Sequence, residues 1–317
     1  MDIDWERILT NAGVSITGID IGCSNGRPHE WSLLGSALRY VGVDPLIAEI
    51  ERLRSRNEKN AKYYDALIEF PGAKGGADKV TSDLFIRTSA YSTSQNNFNS
   101  QQVIYNSGEK VRVSKNKISV TNLLHWNKIQ NLDLLKIDID GDDFLCLKAF
   151  DLEGQLNQLL CLDIESQFHG DNGNDGNTLW NIAKLANERS MPIYELEVNR
   201  YSRTILPSRF VYDFPAQTLH GQVLWGDAVF MRDPIESKLN LEETVKMISI
   251  FDIYGLYDCA LEALESSFEI VQSRIPAEDI RKALIKKHLT RENLNIIDES
   301  TYTSRFRKKL KELIRKR

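Results

Sequence analysis

Ile16-Thr17-Gly18-Ile19-Asp20-Ile21, followed at once by Gly22-Cys23-Ser24-Asn25-Gly26, is the stretch that decides the fold. A short apolar run bounded by a glycine turn reads as a buried strand. The glycines let the backbone turn sharply and approach a ligand closely, and the helix that follows presents unpaired N–H groups. Trp31 to Leu38 is expected to be that helix. Arg39-Tyr40-Val41-Gly42-Val43-Asp44 is a second strand, stopped by Pro45. Asp44 stands 18 residues after Gly26, where an acid at a strand end can accept the two hydroxyls of a ribose.

Working outward, Ile47 to Arg56 reads as a helix and Tyr63 to Phe70 as a third strand ended by Pro71-Gly72. Residues 72–130 break the rhythm. They are rich in Ser, Asn, Gln and Gly, with strand-like pieces at Phe85-Ile86 and Lys117 to Thr121, and read as a partly ordered insertion. The alternation then resumes. Strands are expected at Leu132 to Asp138, Leu159 to Ile164, Ile193 to Val198 and Val223 to Arg232, with helices at Asp142 to Phe150 and Thr178 to Arg189. Strands alternating with helices make an α/β class protein with a doubly wound, mostly parallel sheet of seven strands. From Leu239 on, the pattern is helical, broken at Gly255 and Pro276. The division is therefore residues 1–235 as an α/β domain and 236–317 as a helical extension.

The whole chain bounds the function. Its 317 residues allow one large domain or two smaller ones. With 42% hydrophobic and 27% charged residues, it is an ordinary globular composition. A net charge of −5 makes it a poor general binder of nucleic acid, so no such partner is expected. The acidic start MDIDWERILTN lacks the basic and apolar regions of a signal peptide, and no apolar run approaches the about 20 residues of a membrane span. Cys23, Cys146, Cys161 and Cys259 form no CxxC pair and read as reduced thiols, which fits a cytoplasmic protein.

Three ligand chemistries compete for the first turn. A dinucleotide site wants G-x-G-x-x-G, and no glycine lies between Gly22 and Gly26. A nucleophile elbow formally matches Gly22-Cys23-Ser24-Asn25-Gly26, but such elbows follow several strands and this one follows the first. The third is a methyl-donor site, in which Asp20 meets a cationic amino-acid end, Gly22, Ser24 and Gly26 admit the ligand, Asp44 holds its ribose, and Asp65 and Ala66 close the third strand beside it.

The segment Asn131 to Lys148, NLDLLKIDIDGDDFLCLK, resembles the signature of the FkbM family of class I methyltransferases, whose usual form reads DLLKIDIEGAEL–VLKG. Leu160-Cys161-Leu162-Asp163-Ile164-Glu165 is similar to that family's next strand, which ends in Glu. Asp140 and Asp143 stand where the family has Glu, and Asp142 where it has Ala. The resemblance covers roughly residues 15–232. It implies a Rossmann-like methyltransferase fold and S-adenosylmethionine as donor. The implied acceptor is a hydroxyl of a sugar, polysaccharide or small metabolite.

Catalytic candidates follow from the strand ends, above which doubly wound sheets bind their ligands. Asp138 ends the fourth strand, Glu165 the fifth, and His169 lies in the loop beyond it; each can take a proton from an acceptor. Asp138, Asp140 and Glu165 can alternatively hold a divalent cation through oxygen ligands. Asp142 and Asp143 read as acids at a helix N-terminus. Asp138-Ile139-Asp140 also matches the D-x-D of metal-dependent glycosyltransferases, a rival reading, and a donor-binding scaffold without turnover is a third. Asp171 to Gly176 resembles a calcium loop without its closing Glu and reads as a mobile lid. The tail Arg305 to Arg317 carries eight Lys or Arg against Glu312, with Phe306, Leu310, Leu313 and Ile314 among them. That is a basic amphipathic helix able to lie on the inner face of an anionic membrane, as would suit a lipid-linked glycan acceptor.

Overall fold

The computed structural model describes residues 3–70, 114–139, 141–170, 176–201 and 220–295. The helices are α1 (Trp5–Asn11), α2 (His29–Ser32), α3 (Ile47–Ser55), α4 (Val120–Trp126), α5 (Asp143–Leu152), α6 (Leu179–Glu188), α7 (Leu241–Ile253), α8 (Tyr257–Ser266), α9 (Phe268–Val271) and α10 (Ala277–Asn295). The strands are β1 (Ile16–Ile21), β2 (Leu38–Asp44), β3 (Ala61–Asp65), β4 (Leu67–Glu69), β5 (Lys117–Ser119), β6 (Leu134–Ile137), β7 (Cys161–Gln167), β8 (Ile193–Tyr201) and β9 (Gln222–Met231). They divide into two compact units, one of Val14–Lys238 and one joining the described residues up to Gly13 with those from Leu239 onward.

The α/β unit is built on a seven-stranded sheet in the order β3-β2-β1-β6-β7-β9-β8. β1, β2, β3, β6 and β7 pair in parallel, and β9 runs antiparallel between β7 and β8. The chain winds outward from β1 to β3, then returns to lay β6 on the other side of β1. That reversal is where ligands bind in such sheets, at the carboxyl ends of the strands.

The two faces of the sheet differ in chemistry, as side chains alternate along each strand. Ile19 and Ile21 of β1, Leu135 and Ile137 of β6 and Leu162 and Ile164 of β7 pack into one core with Leu123 of α4, Leu147 and Phe150 of α5 and Ile182 of α6. Each such side chain contributes about 1.5–3 kcal/mol on burial. The opposite parity carries Tyr40, Asp20, Lys136, Asp163 and Asp227 in a polar row across β2, β1, β6, β7 and β9.

Several sequence expectations are corrected. The helix expected over Trp31 to Leu38 is the short α2 and a 3-10 turn at Gly35–Ala37, and Leu38 already belongs to β2. The expected strand Tyr63 to Phe70 changes partners midway. Ala66 N–H turns back to Asp44 O at 3.2 Å and Leu67 N–H goes to Asn116 O at 2.8 Å, so β4 pairs with β5 in a separate two-stranded parallel sheet. The insertion is shorter than drawn, because residues 114–130 belong to the fold. Lys117–Ser119 is strand, but Ser119 then caps α4 by accepting Asn122 N–H at 3.1 Å, so Val120 and Thr121 are helical. Phe85-Ile86, Asp140, the loop 171–175 and the basic tail 305–317 lie outside the described residues.

The helical unit answers why residues 3–13, read from sequence as part of the α/β domain, group elsewhere. Trp5 of α1 donates its indole N–H to Asp252 of α7 at 2.7 Å, and Lys287 of α10 reaches the same carboxylate at 2.8 and 2.9 Å. Asp252 is buried. α7 itself begins at a capping box between Asn240 and Glu243. Among the described residues, no helix is long and apolar enough to cross a membrane.

Candidate functional site

β1, β2 and β6 are knitted together where the first turn begins. Gly22 N–H donates to Val43 O at 2.9 Å and Asp138 N–H donates to Ile21 O at 2.9 Å. Gly22 has φ +97°, and a Cβ there would sit 1.9 Å from the carbonyl oxygen of Asp138, so only glycine fits. The turn closes at Gly26, φ +86°, whose N–H meets Cys23 O at 2.8 Å. Ser24 is half-buried on this turn.

Asp20 sits at the foot of the turn, buried. Its Oδ2 accepts a 2.7 Å hydrogen bond from the Tyr40 hydroxyl, while Oδ1 has no hydrogen-bond partner among the described residues. Burial pushes its pKa up to about 7, against the lowering effects of the Tyr40 hydrogen bond and Lys136. Asp44 is also buried, and its Oδ1 accepts Leu46 N–H at 2.7 Å, which fixes the carboxylate at the end of β2. The Cys23 thiol feels both acids, and with burial they hold it far above its ordinary pKa.

Asp65 is built in differently. Its carboxylate takes Arg54 at 2.8 Å and the Asn116 amide at 3.0 Å, with Ser114 Oγ at 3.4 Å. Burial works to raise its pKa, but Arg54 and these donors overcome it and leave the carboxyl below its usual range. Asp65 therefore joins β3 to the segment leading into β5, and Ala66 spends its N–H on Asp44.

At the end of β6, Asp138 is 41% exposed and lies 3.6 Å from Lys136 Nζ, which also stands 3.8 Å from Asp163. Burial opposes the charge on Lys136, but Asp163, Asp138, Asp20 and Asp227 more than offset it and raise its pKa. Asp227 of β9 is pushed up to about 6 by burial, against Lys136 and assisted by Asp138, Asp163 and Glu197. Glu165 is buried on β7 directly opposite Asp227. His169 has its Nε2 2.9 Å from Val223 O, and the Gln222 side-chain amide lies 3.3 Å from the same nitrogen. Among the described residues, no group of three or more His, Cys, Asp or Glu is placed to hold a metal.

Asp143 is not a helix cap. Its fully buried carboxylate accepts Ile139 N–H at 2.8 Å and Gly141 N–H at 2.9 Å, holding the turn after β6, and Asn177 donates to it at 2.8 Å. Asn177 in turn accepts Phe144 N–H at 3.0 Å. Sequence reading missed Tyr40, Lys136, Asp227 and Asn177. Lys136 alone had left a trace, a lone cation inside the apolar run of β6.

A family model described as the methyltransferase FkbM domain matches residues 20–187. No curated protein matches. Among solved structures, an uncharacterized protein from Listeria monocytogenes serotype 4b is similar at 7% identity and TM-score 0.31, covering 89% of this chain and 97% of its own. A TehB-like SAM-dependent methyltransferase from Corynebacterium glutamicum gives 13% and 0.24, covering 73% and 89%. A mutant 16S rRNA adenine N1-methyltransferase from Catenulisporales acidiphilia gives 9% and 0.28, covering 73% and 94%. These overlays are loose. The family match takes in the first turn, Asp44, the segment from Asp133 to Lys148 and Glu165 in one span of more than half the sequence, which sets aside the glycosyltransferase reading: the chain belongs to the FkbM family of S-adenosylmethionine-dependent methyltransferases.

Proposed function

We propose that the chain is an O-methyltransferase acting on a hydroxyl of a sugar, polysaccharide or small metabolite. The observation that carries this reading is the half-exposed carboxylate of Asp138, ion-paired with Lys136 and hydrogen-bonded through its backbone to the first turn.

The residues present fit the donor. Gly22 lets the end of β1 lie against the Asp138 carbonyl, which sets the turn at the carboxyl ends of β1 and β6, Asp20 has a buried oxygen with no hydrogen-bond partner among the described residues, and Asp44 holds a fixed carboxylate at the next strand end. In this reading Asp20 meets the ammonium, Gly22, Ser24 and Gly26 cradle the amino-acid portion, and Asp44 accepts the ribose hydroxyls. Asp65 and Ala66 border the base through the chain they hold in place.

The donor supplies a methyl group already activated by its sulfonium. The protein's task is then to place the acceptor oxygen in line and to take its proton. Asp138 accepts that proton, with the Lys136 ammonium 3.6 Å from its carboxylate. Glu165 and His169 lie on the next strand and loop, where they orient the acceptor hydroxyl. A carboxylate base beside an ammonium suits a neutral hydroxyl.

Labelled methyl transfer from S-adenosylmethionine to a panel of neutral sugars, oligosaccharides and hydroxylated metabolites tests the reading. Transfer to a hydroxyl, lost in Asp138→Asn with donor affinity kept, is the expected result. Transfer only to nitrogen acceptors, or near-native turnover in both Asp138→Asn and Glu165→Gln, would overturn it.

A further inference from the structure

Asp20 and Tyr40 are neighbours by register. Gly18 pairs with Tyr40 and Asp20 with Gly42, so the two side chains rise from the same face of adjacent parallel strands, one step apart. Gly42 leaves the ground between them clear: a Cβ there would lie 2.6 Å from Cys23 Sγ and 3.1 Å from Tyr40 Cε1. The tyrosine ring has no freedom to swing. Trp31 meets it edge-on at 6.3 Å, Tyr63 packs at 5.5 Å and the Arg27 guanidinium lies 5.5 Å above it. Arg27 is itself tied to Glu58 at 2.8 Å, and Tyr63 donates to the same glutamate at 3.1 Å.

The outcome is a buried carboxylate whose two oxygens are treated unequally. Oδ2 is satisfied by the Tyr40 hydroxyl at 2.7 Å, and Oδ1 has no partner among the described residues. A buried acceptor without a donor is costly, and proteins retain one where something else will meet it. A carboxylate free to rotate would spread that deficit over both oxygens. Here the immobile hydroxyl removes the choice.

Resting on the donor site proposed above, we infer that Tyr40 is a positioning residue for S-adenosylmethionine. Its hydroxyl holds Oδ2 of Asp20 so that Oδ1 is presented to the donor's ammonium. Tyr40 touches no part of the donor and acts only through Asp20. Burial supports the assignment, since an incoming cation would compensate the ionised form of a group whose pKa stands near 7.

Calorimetry on the full chain separates this role from a merely structural one. S-adenosylhomocysteine carries the amino-acid end, while 5′-methylthioadenosine shares the nucleoside and sulfur but lacks it. Tyr40→Phe should weaken S-adenosylhomocysteine about tenfold and leave 5′-methylthioadenosine within about twofold, the size expected for loosening one charge-assisted hydrogen bond. Asp20→Asn should lose the same preference, and adding Tyr40→Phe to it should change nothing further. Equal losses on both ligands, no loss on either, or additive losses in the double variant would overturn the inference. Loss of 5′-methylthioadenosine binding in Tyr40→Phe would also overturn it, by showing that Tyr40 carries the fold. If the unaltered chain binds neither ligand, the donor site itself fails. Binding there with an unaffected Tyr40→Phe removes only Tyr40.

Discussion

The side-chain amide of Asn177 donates a 2.8 Å hydrogen bond to the carboxylate of Asp143, joining the loop before α6 to the turn after β6. Those are the two loops that follow β7, which carries Glu165, and β6, which Asp138 directly follows. Because Asn177 also accepts Phe144 N–H, truncating it removes that acceptor and one of the donors to the buried Asp143 carboxylate. Asn177→Ala should cost about 2 kcal/mol in chemical denaturation. Hydrogen exchange should quicken in peptides from both loops, and a change confined to the segment around 177 would refute the coupling.

Gly22→Ala should be among the most damaging single changes available. The new methyl would overlap the Asp138 carbonyl, and φ +97° is strained for any L residue. A loss of about 3 kcal/mol or more is expected, with donor binding gone. Gly13→Ala is the control. Its φ is +65° but nothing lies within 4 Å of the added carbon, so only the backbone term of about 1–2 kcal/mol applies. Similar losses in the two variants would contradict the close approach of β1 and β6.

Asp252 should be the keystone of the helical unit. It receives both the Trp5 indole and Lys287, so Asp252→Ala removes the carboxylate that a cation and an N–H share. Breaking a buried pair in this way costs about 3–5 kcal/mol, to be read from urea unfolding. A change under about 1 kcal/mol would mean that water replaces the carboxylate.

Donor binding should depend on pH with a definite sign. Asp20 has its pKa raised from 3.8 to about 7, so the folded chain keeps a proton there that the unfolded chain has lost. That contribution to stability is complete below pH 4 and fades as pH rises to about 7. In the proposed donor site, the ammonium of the donor pairs with the ionised form. S-adenosylhomocysteine affinity should therefore climb between pH 6 and 8 and level off above, with 5′-methylthioadenosine affinity flat. Affinity that falls over this window would place the ammonium elsewhere.

How much was legible in the sequence follows from the kind of force involved. β1, β2, β6, β7 and β9 are apolar runs with punctuation at their ends, and local pattern found them within a few residues. The places of Asp20, Gly22, Gly26, Asp44, Asp138 and Glu165 at or near those ends were legible for the same reason. The split of β3 from β4 was not, because it depends on Leu67 finding Asn116, which lies across the insertion. Tyr40 read as one more aromatic in a strand, and only the register of β1 with β2 brings its hydroxyl to Asp20. Asp143 was read as an acid at a helix N-terminus, and it does open α5, but its partners Ile139 and Gly141 lie behind it and Asn177 lies 34 residues ahead.

The most direct test of the donor site is calorimetry of S-adenosylmethionine against the unaltered chain and Asp44→Ala. The account predicts clear binding, weakened by about 1.5–3 kcal/mol when the carboxylate that faces the ribose is removed. Absence of binding in the unaltered chain, or equal affinity in both, would contradict it.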